Sequence, residues 1–281
     1  MVEPPVVVLG ATGGQGHAVT EALLARSTKV RAVVRDPRSA GARRLAERGV
    51  EVLAGSLDDA EALTAAMRGT AAGFAFTTPF EAGIEAEVAQ GRAIIVAAGR
   101  AQLPHLVFSS VAGAGEQTAI PHFESKARIE GDLRRSGLPH TVLAPTYFYD
   151  NALGGVDRIR AGVLDLPLPP DRQLQQIDRG DFGRFAAAVL LDPGSYSGRR
   201  IELAGDAPTP AEMTAALGRA LGREVDYNQV PLAAIGNPDM LAMWTFLNGP
   251  GYQVDLPALH AAAPHLTWTS FADWAARTFA A

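Results

Sequence analysis

Two periods alternate along the first half of the chain. Residues 5–10 (PVVVLG) form a short apolar run that ends in glycine, and Ala18, Val19, Ala22 and Leu23 then recur at helical spacing. The exchange repeats. Apolar runs at 30–34, 50–53, 73–77, 105–109 and 140–143 predict strands. Between them Ala42, Leu45 and Ala46, then Ala60, Leu63 and Met67, then Ile84, Val88, Gly91 and Ile95 mark helix faces. A further helix is expected from about 121 to 136, closed by Gly137.

Strands that are apolar throughout belong in a parallel sheet covered on both faces. The expected fold is therefore α/β, a Rossmann doubly wound parallel sheet with right-handed crossover helices. After Asn151 the alternation breaks. Residues 164–170 (LDLPLPP) read as a loop, 181–191 as a helix and 200–203 as a short late strand that the sheet can receive. Thr209, Pro210 and Glu212 start a helix that runs to Gly222, because threonine caps, proline suits the first turn and an early acid meets the helix dipole. All three tryptophans, Trp244, Trp268 and Trp274, fall in the last 40 residues. The expected organisation is a Rossmann domain over 1–151. A smaller α-rich lobe over 152–281 packs over the carboxyl edge of the sheet and completes the cleft, making one compact unit.

Composition removes several chemistries. The chain has 281 residues and no cysteine, which excludes disulfides, thiolate metal sites and a cysteine nucleophile. The net charge of −5 gives no basic field for nucleic acid or an anionic membrane. The opening residues Met1 to Pro5 lack a basic leader region, and no run of about 18 apolar residues appears, so the expected location is the cytoplasm. The six histidines form no H-x-x-x-H or H-E-x-x-H, so no metal is expected. Of the 25 basic residues only Lys29 and Lys126 are lysines. In so arginine-rich a chain, a retained lysine hints that arginine would not serve. Lys29 reads as a surface residue, and the arginine pairs at 43–44, 134–135 and 199–200 read as solvated faces.

The strongest motif follows the first strand and opens the first helix: Gly10, Ala11, Thr12, Gly13, Gly14, Gln15, Gly16. Gly10 permits a tight turn, Gly13 lets a pyrophosphate approach the backbone, and Gly16 lets the helix pack against the sheet. The helix N-terminus offers free N–H groups to phosphate. At the tip of the second strand, Arg35 and Arg38 are placed to grip a 2′-phosphate, which favours NADP(H) over NAD(H). Asp36 between them would favour NAD(H) if it turned inward.

These residues resemble the NmrA-like family of the atypical short-chain dehydrogenase/reductase superfamily. The Gly10-Ala11-Thr12-Gly13 turn carries the resemblance, with Arg35-Asp36-Pro37, His122-Phe123-Glu124-Ser125-Lys126, Ser136 to Leu143, and Pro145-Thr146-Tyr147-Phe148-Tyr149-Asp150-Asn151. They are most similar to the branch that holds an NADPH sensor. The resemblance spans essentially the whole chain and is looser beyond residue 151. It implies an NADP-binding Rossmann domain and a small lobe, in a family that contains both redox-sensing regulators and working reductases. Two positions depart from the family. Its aspartate after the third strand is Ser56, which leaves Ser56, Leu57 and Asp58 on the adenine side. Its arginine before the proline that follows the sixth strand is Leu143. The implied cofactor set also takes in Thr77, Thr78, Pro79, Ser109, Lys126, Pro145, Tyr147 and Phe148.

A short-chain reductase usually places Tyr four residues before Lys on one helix. Here His122 holds that position, and residues at i and i+4 share a helix face. Either the proton donor is lost and Lys126 only holds the nicotinamide ribose, or His122 donates, with Tyr147 as a rival. The expectation is a non-catalytic dinucleotide sensor acting on a protein partner, monomeric or homodimeric. The alternative is an NADPH-dependent reductase of a small quinone, enone or similar electrophile.

Overall fold

The computed structural model describes residues 3–280. The chain begins with β1 (Val6–Leu9), α1 (Gly14–Leu24), β2 (Val30–Val34), α2 (Ala40–Glu47), β3 (Glu51–Ala54), α3 (Ala60–Met67), β4 (Ala72–Phe76), α4 (Ile84–Arg100), β5 (Leu106–Ser109), α5 (Pro121–Arg135) and β6 (His140–Pro145). It continues through β7 (Tyr147–Phe148), α6 (Val156–Arg160), β8 (Val163–Leu166), β9 (Gln176–Ile177), α7 (Arg179–Leu191), β10 (Arg200–Leu203), α8 (Pro210–Leu221), β11 (Asp226–Gln229), α9 (Pro238–Asn248), α10 (Leu256–Ala262) and α11 (Phe271–Phe279).

Seven strands form one sheet in the order β10-β6-β5-β4-β1-β2-β3. From β1 the chain steps outwards to β2 and β3, then returns and fills the other side. The β1–β2, β1–β4, β2–β3, β4–β5 and β5–β6 ladders are all parallel. This is the doubly wound Rossmann arrangement, and its order reverses between β1 and β4. In such sheets ligands bind outside the carboxyl ends of the strands, at that reversal. The late strand β10 joins beside β6.

The apolar pattern explains the packing. Every residue of β1 is buried, as the run VVVL requires for a central strand. Leu63 and Met67 of α3, Ile94 of α4 and Ile129 of α5 join the sheet's Leu9 and Phe108 in one buried cluster. Each such side chain contributes about 1.5–3 kcal/mol through burial. Helices α4 and α5 meet closely at Gly91, where an added Cβ would lie 2.6 Å from Ile129. Helices α1 and α7 meet at Gly183, whose Cβ would lie 2.4 Å from the Ala18 carbonyl.

The chain divides into two compact units. The first holds residues up to 115, 122–144 and 182–201; the second holds 116–121, 145–181 and 202 onward. The second unit is largely helical. Two of its helices carry capping boxes, Thr209 with Glu212 on α8 and Ser270 with Asp273 on α11. Buried Asp181 accepts bonds from the Thr269 N–H and hydroxyl, at 2.6 and 2.9 Å. The sequence reading of 164–170 as a loop is corrected at its start. Val163–Leu166 is β8, which pairs in parallel with β11, and only the proline-bearing remainder is irregular. Among the described residues no helix is long and apolar enough to cross a membrane.

Candidate dinucleotide site

The glycine turn is built as the spacing demands. Gly10 adopts φ +63°, and a Cβ there would lie 2.7 Å from the Phe76 ring at the end of β4. A Cβ on Gly16 would lie 2.3 Å from the Gly10 carbonyl, so the first turn of α1 sits directly on the strand end. At Gly13 the corresponding approach is 3.3 Å, which leaves this face of the turn more open. Gly13 is also the N-cap of α1, with no side-chain cap and no acid in the first turn. By contrast, Ser39 caps α2 and Asp59 caps α3. The α1 N–H donors thus face a cradle without a side chain of their own, a geometry that fits a pyrophosphate. Thr12 and Gly14 are exposed beside it. Gln15 is fixed across the site, its Oε1 accepting the Ser109 hydroxyl at 2.6 Å.

The tip of β2 is organised differently. Arg35 donates to Glu81 at 2.8 Å, and the side chains are 75% and 56% exposed. Asp36 turns towards its own loop, accepting the Arg38 N–H at 2.9 Å, with the Arg38 guanidinium at 3.5 Å. Each arginine therefore already has a carboxylate, in open water. Next to the turn, a cavity of about 240 Å³ is lined by Thr12, His17, Gly41, Arg44, Leu45 and Arg48. Ser56, Leu57 and Asp58 lie in the turn after β3. There Asp59, not Asp58, is spent on the helix cap.

At the tip of β4 the polar groups are buried. Lys126 donates to the Thr77 carbonyl at 2.7 Å and its hydroxyl at 3.0 Å, and pairs with Glu87 at 3.0 Å. Burial pushes the Lys126 ammonium down from the usual lysine range, while Glu87 and then Glu130 pull it back up. Thr78 and Pro79 continue the loop, where Thr78 accepts from the Phe80 N–H at 3.4 Å and Pro79 from the Gly83 N–H at 2.7 Å. Beside this network Ser110 donates to buried Glu130, which also takes Arg200 at 3.0 Å. Arg200 further donates to the Val111 and Ala114 carbonyls. Arg200 is exposed, as the reading of the 199–200 pair expects, yet its guanidinium also clamps the segment after β5. Lys29 is exposed, as expected.

His122 and Lys126 lie one turn apart on α5 but keep different company. The His122 ring lies 5.7 Å from Phe80 and 4.8 Å from Phe123, whereas Lys126 is turned to Thr77 and Glu87. Pro145, Tyr147 and Phe148 belong to the second unit. There Tyr147 lies 5.7 Å from Trp244, and both line a cavity of about 150 Å³ with Asn151, Ile159, Leu164, Leu166 and Pro167. Burial pushes the Tyr147 phenol up to about 12, the opposite direction from that of a tyrosine poised to ionise. Sequence reasoning missed Glu87, Glu130 and Arg200. A signal for Glu87 existed: it falls within the Ile84–Val88–Gly91 stripe, an acid at an apolar helix position.

Comparison with known proteins follows the same lines. A model described as the NmrA-like family matches residues 3–261. The chain is 33% identical over 234 residues to a (4-alkanoyl-5-oxo-2,5-dihydrofuran-3-yl)methyl phosphate reductase of Streptomyces griseus, covering 82% of this chain and 78% of that protein. It is 30% identical over 245 residues to an NAD(P)H azoreductase of Xenophilus azovorans, covering 84% and 83%. The crystal structure of the NADPH-dependent quinone oxidoreductase QOR2 of Escherichia coli with NADPH superposes with a TM-score of 0.82 at 26% identity, over 98% of this chain and 99% of that one.

Proposed function

The chain belongs to the NmrA-like family, and from that premise we propose that it is an NADP(H)-dependent reductase of a small apolar electrophile. The observation that carries this reading is the 30% and 33% identity to two reductases over 84% and 82% of the chain. The glycine turn and the uncapped start of α1 support it, because their geometry fits the dinucleotide such enzymes use.

In this reading the N–H groups around Gly13 and Gly14 hold the pyrophosphate. Arg35 and Arg38 exchange their carboxylates for the 2′-phosphate and favour NADP(H) over NAD(H). Ser56, Leu57 and Asp58 border the adenine, and Thr77, Thr78, Pro79 and Ser109 border the nicotinamide half. When bound, the reduced nicotinamide supplies a hydride to the electrophile. A quinone or enone then needs one further proton, and where the accepting oxygen or carbon reaches solvent, water delivers it. Such a reaction does not depend on a tyrosine at position 122. The cavity walled by Tyr147 and Trp244 suits a flat apolar ring. The protein works in the cytoplasm, as a monomer or homodimer.

A second reading, the dinucleotide sensor, is favoured by one observation: His122 stands where the superfamily's usual donor would be. The test is incubation of the purified protein with NADPH and a panel of quinones, enones and azo dyes, following nicotinamide absorbance. Oxidation above background with at least one acceptor supports the reductase. Tight NADPH binding with no turnover across the panel supports the sensor.

A further inference from the structure

Three ammonium protons and three acceptors meet at Lys126: the Thr77 carbonyl at 2.7 Å, the Thr77 hydroxyl at 3.0 Å and Glu87 Oε1 at 3.0 Å. Glu87 is fully buried and accepts two more bonds, from the Thr77 hydroxyl at 3.0 Å and from the Ser125 hydroxyl. The Ser125 hydroxyl also lies 3.0 Å from the His122 carbonyl. Thr77 Oγ1 donates to Glu87 and accepts from Lys126, so the carboxylate, the ammonium and the hydroxyl form one ring. That ring joins α4, α5 and the residue immediately after β4, beside the reversal of strand order.

We propose that Glu87 is a positioning residue: it fixes the Lys126 ammonium on Thr77 and so sets the tip of β4. The inference rests on the dinucleotide reading, in which that tip borders the nicotinamide half. In this state Lys126 acts through Thr77, because each of its protons already has a protein acceptor. Removing the Glu87 charge leaves a buried ammonium with less to hold it. Such a group gives up its proton more readily, and a neutral amine has only two N–H bonds to offer. The other charged group facing Lys126 is Glu130 on its own helix, which Arg200 holds at 3.0 Å and Arg134 at 3.6 Å. His122 lies one turn earlier on α5, and the Phe108 ring of β5 stands 5.6 Å from the ammonium.

The experiment is titration of NADPH into the unmodified protein and its Glu87→Gln variant, from pH 6 to 8.5. The reported quantity is the ratio of the two dissociation constants. The expected ratio is within about threefold of unity at pH 6 and rises to about tenfold or more at pH 8.5, as Lys126 gives up its proton more readily in the variant than in the unmodified protein. A role confined to stability would lower the melting temperature and leave the ratio flat with pH, which overturns the proposal. Should Glu87→Gln fail to fold, the double variant Glu87→Gln/Lys126→Met carries no lone buried charge. It is expected to bind NADPH about tenfold more weakly than the unmodified protein at every pH. Binding at unmodified affinity would contradict the proposal. If the unmodified protein bound no NADPH at any pH, the dinucleotide reading would fall instead.

Discussion

At the tips of β4 and β5 the charged side chains are buried and mutually paired, whereas at the tip of β2 they stand in water. Glu87 and Lys126 are 0% and 8% exposed, and Glu130 is 2% exposed. The Arg35 and Arg38 side chains are 75% and 93% exposed. Burial makes the first group rigid, because breaking any pair strands a charge in low dielectric. Exposed pairs contribute about 0–1 kcal/mol each, so a phosphate can displace Glu81 and Asp36 at little cost. In the proposed dinucleotide reading, this gives a fixed floor beside the nicotinamide half and an adaptable grip on the phosphate side.

The largest expected effect comes from breaking the floor. Glu87→Leu leaves Lys126 without its counter-charge, and a loss of about 3–5 kcal/mol in unfolding free energy is expected in denaturant titration. An effect below about 1 kcal/mol would show that the pair is not held as described.

The next effect lies at the opposite end of β5. His105 is 2% exposed, and its Nε2 bonds to the Thr141 hydroxyl at 2.9 Å, while that hydroxyl donates to the Tyr196 carbonyl. The Nε2 N–H is therefore the donor in this bond. Burial first, and His140 second, push the imidazole down to about 4. The unfolded chain takes up this proton near pH 6.5 and the folded chain only near 4, so stability is full above about pH 6.5 and falls as pH drops towards 4. His105→Gln keeps a donor and removes the titration. Its melting temperature should decline less than that of the unmodified protein over this window, and parallel curves would refute the assignment.

Smaller effects test the grip. Arg35→Asp should cut the preference for NADPH over NADH about tenfold, the worth of one charge-assisted contact, with almost no change in melting temperature. Glu81→Gln should act in the other direction, tightening NADPH by a few-fold at low salt and by less at high salt, since it frees Arg35 from its own carboxylate. If Glu81→Gln changed NADH and NADPH alike, Arg35 would not be reading the 2′-phosphate.

The same contrast explains what the sequence made legible. Sheet, crossover helices and glycine turn all follow from local pattern: apolar runs, helical spacing and three glycines with separate steric duties. Lys126 stood out because lysine is so rare in this chain. The missing features depend on partners far apart in the chain. Arg35 meets Glu81 46 residues away, and Arg200 meets Glu130 70 residues away. The strand β8 was hidden because prolines follow it and because its partner β11, with the sequence DYNQ, has no apolar alternation. Glu87 stands out only as a first-turn acid on the apolar stripe of α4, and its partner Lys126 emerges once α5 is packed against it.

In the proposed function a dinucleotide binds at the glycine turn between β1 and α1 and its 2′-phosphate is recognised. Calorimetric titration of NADPH and NADH into the unmodified protein and into Gly13→Val tests it most directly. A valine there would stand where the pyrophosphate approaches, while the fold tolerates the site better than it would at Gly16. NADPH is expected to bind at least about tenfold tighter than NADH, with both lost in a Gly13→Val protein that still melts cooperatively. Equal affinities in the unmodified protein, or native NADPH affinity in Gly13→Val, would contradict it.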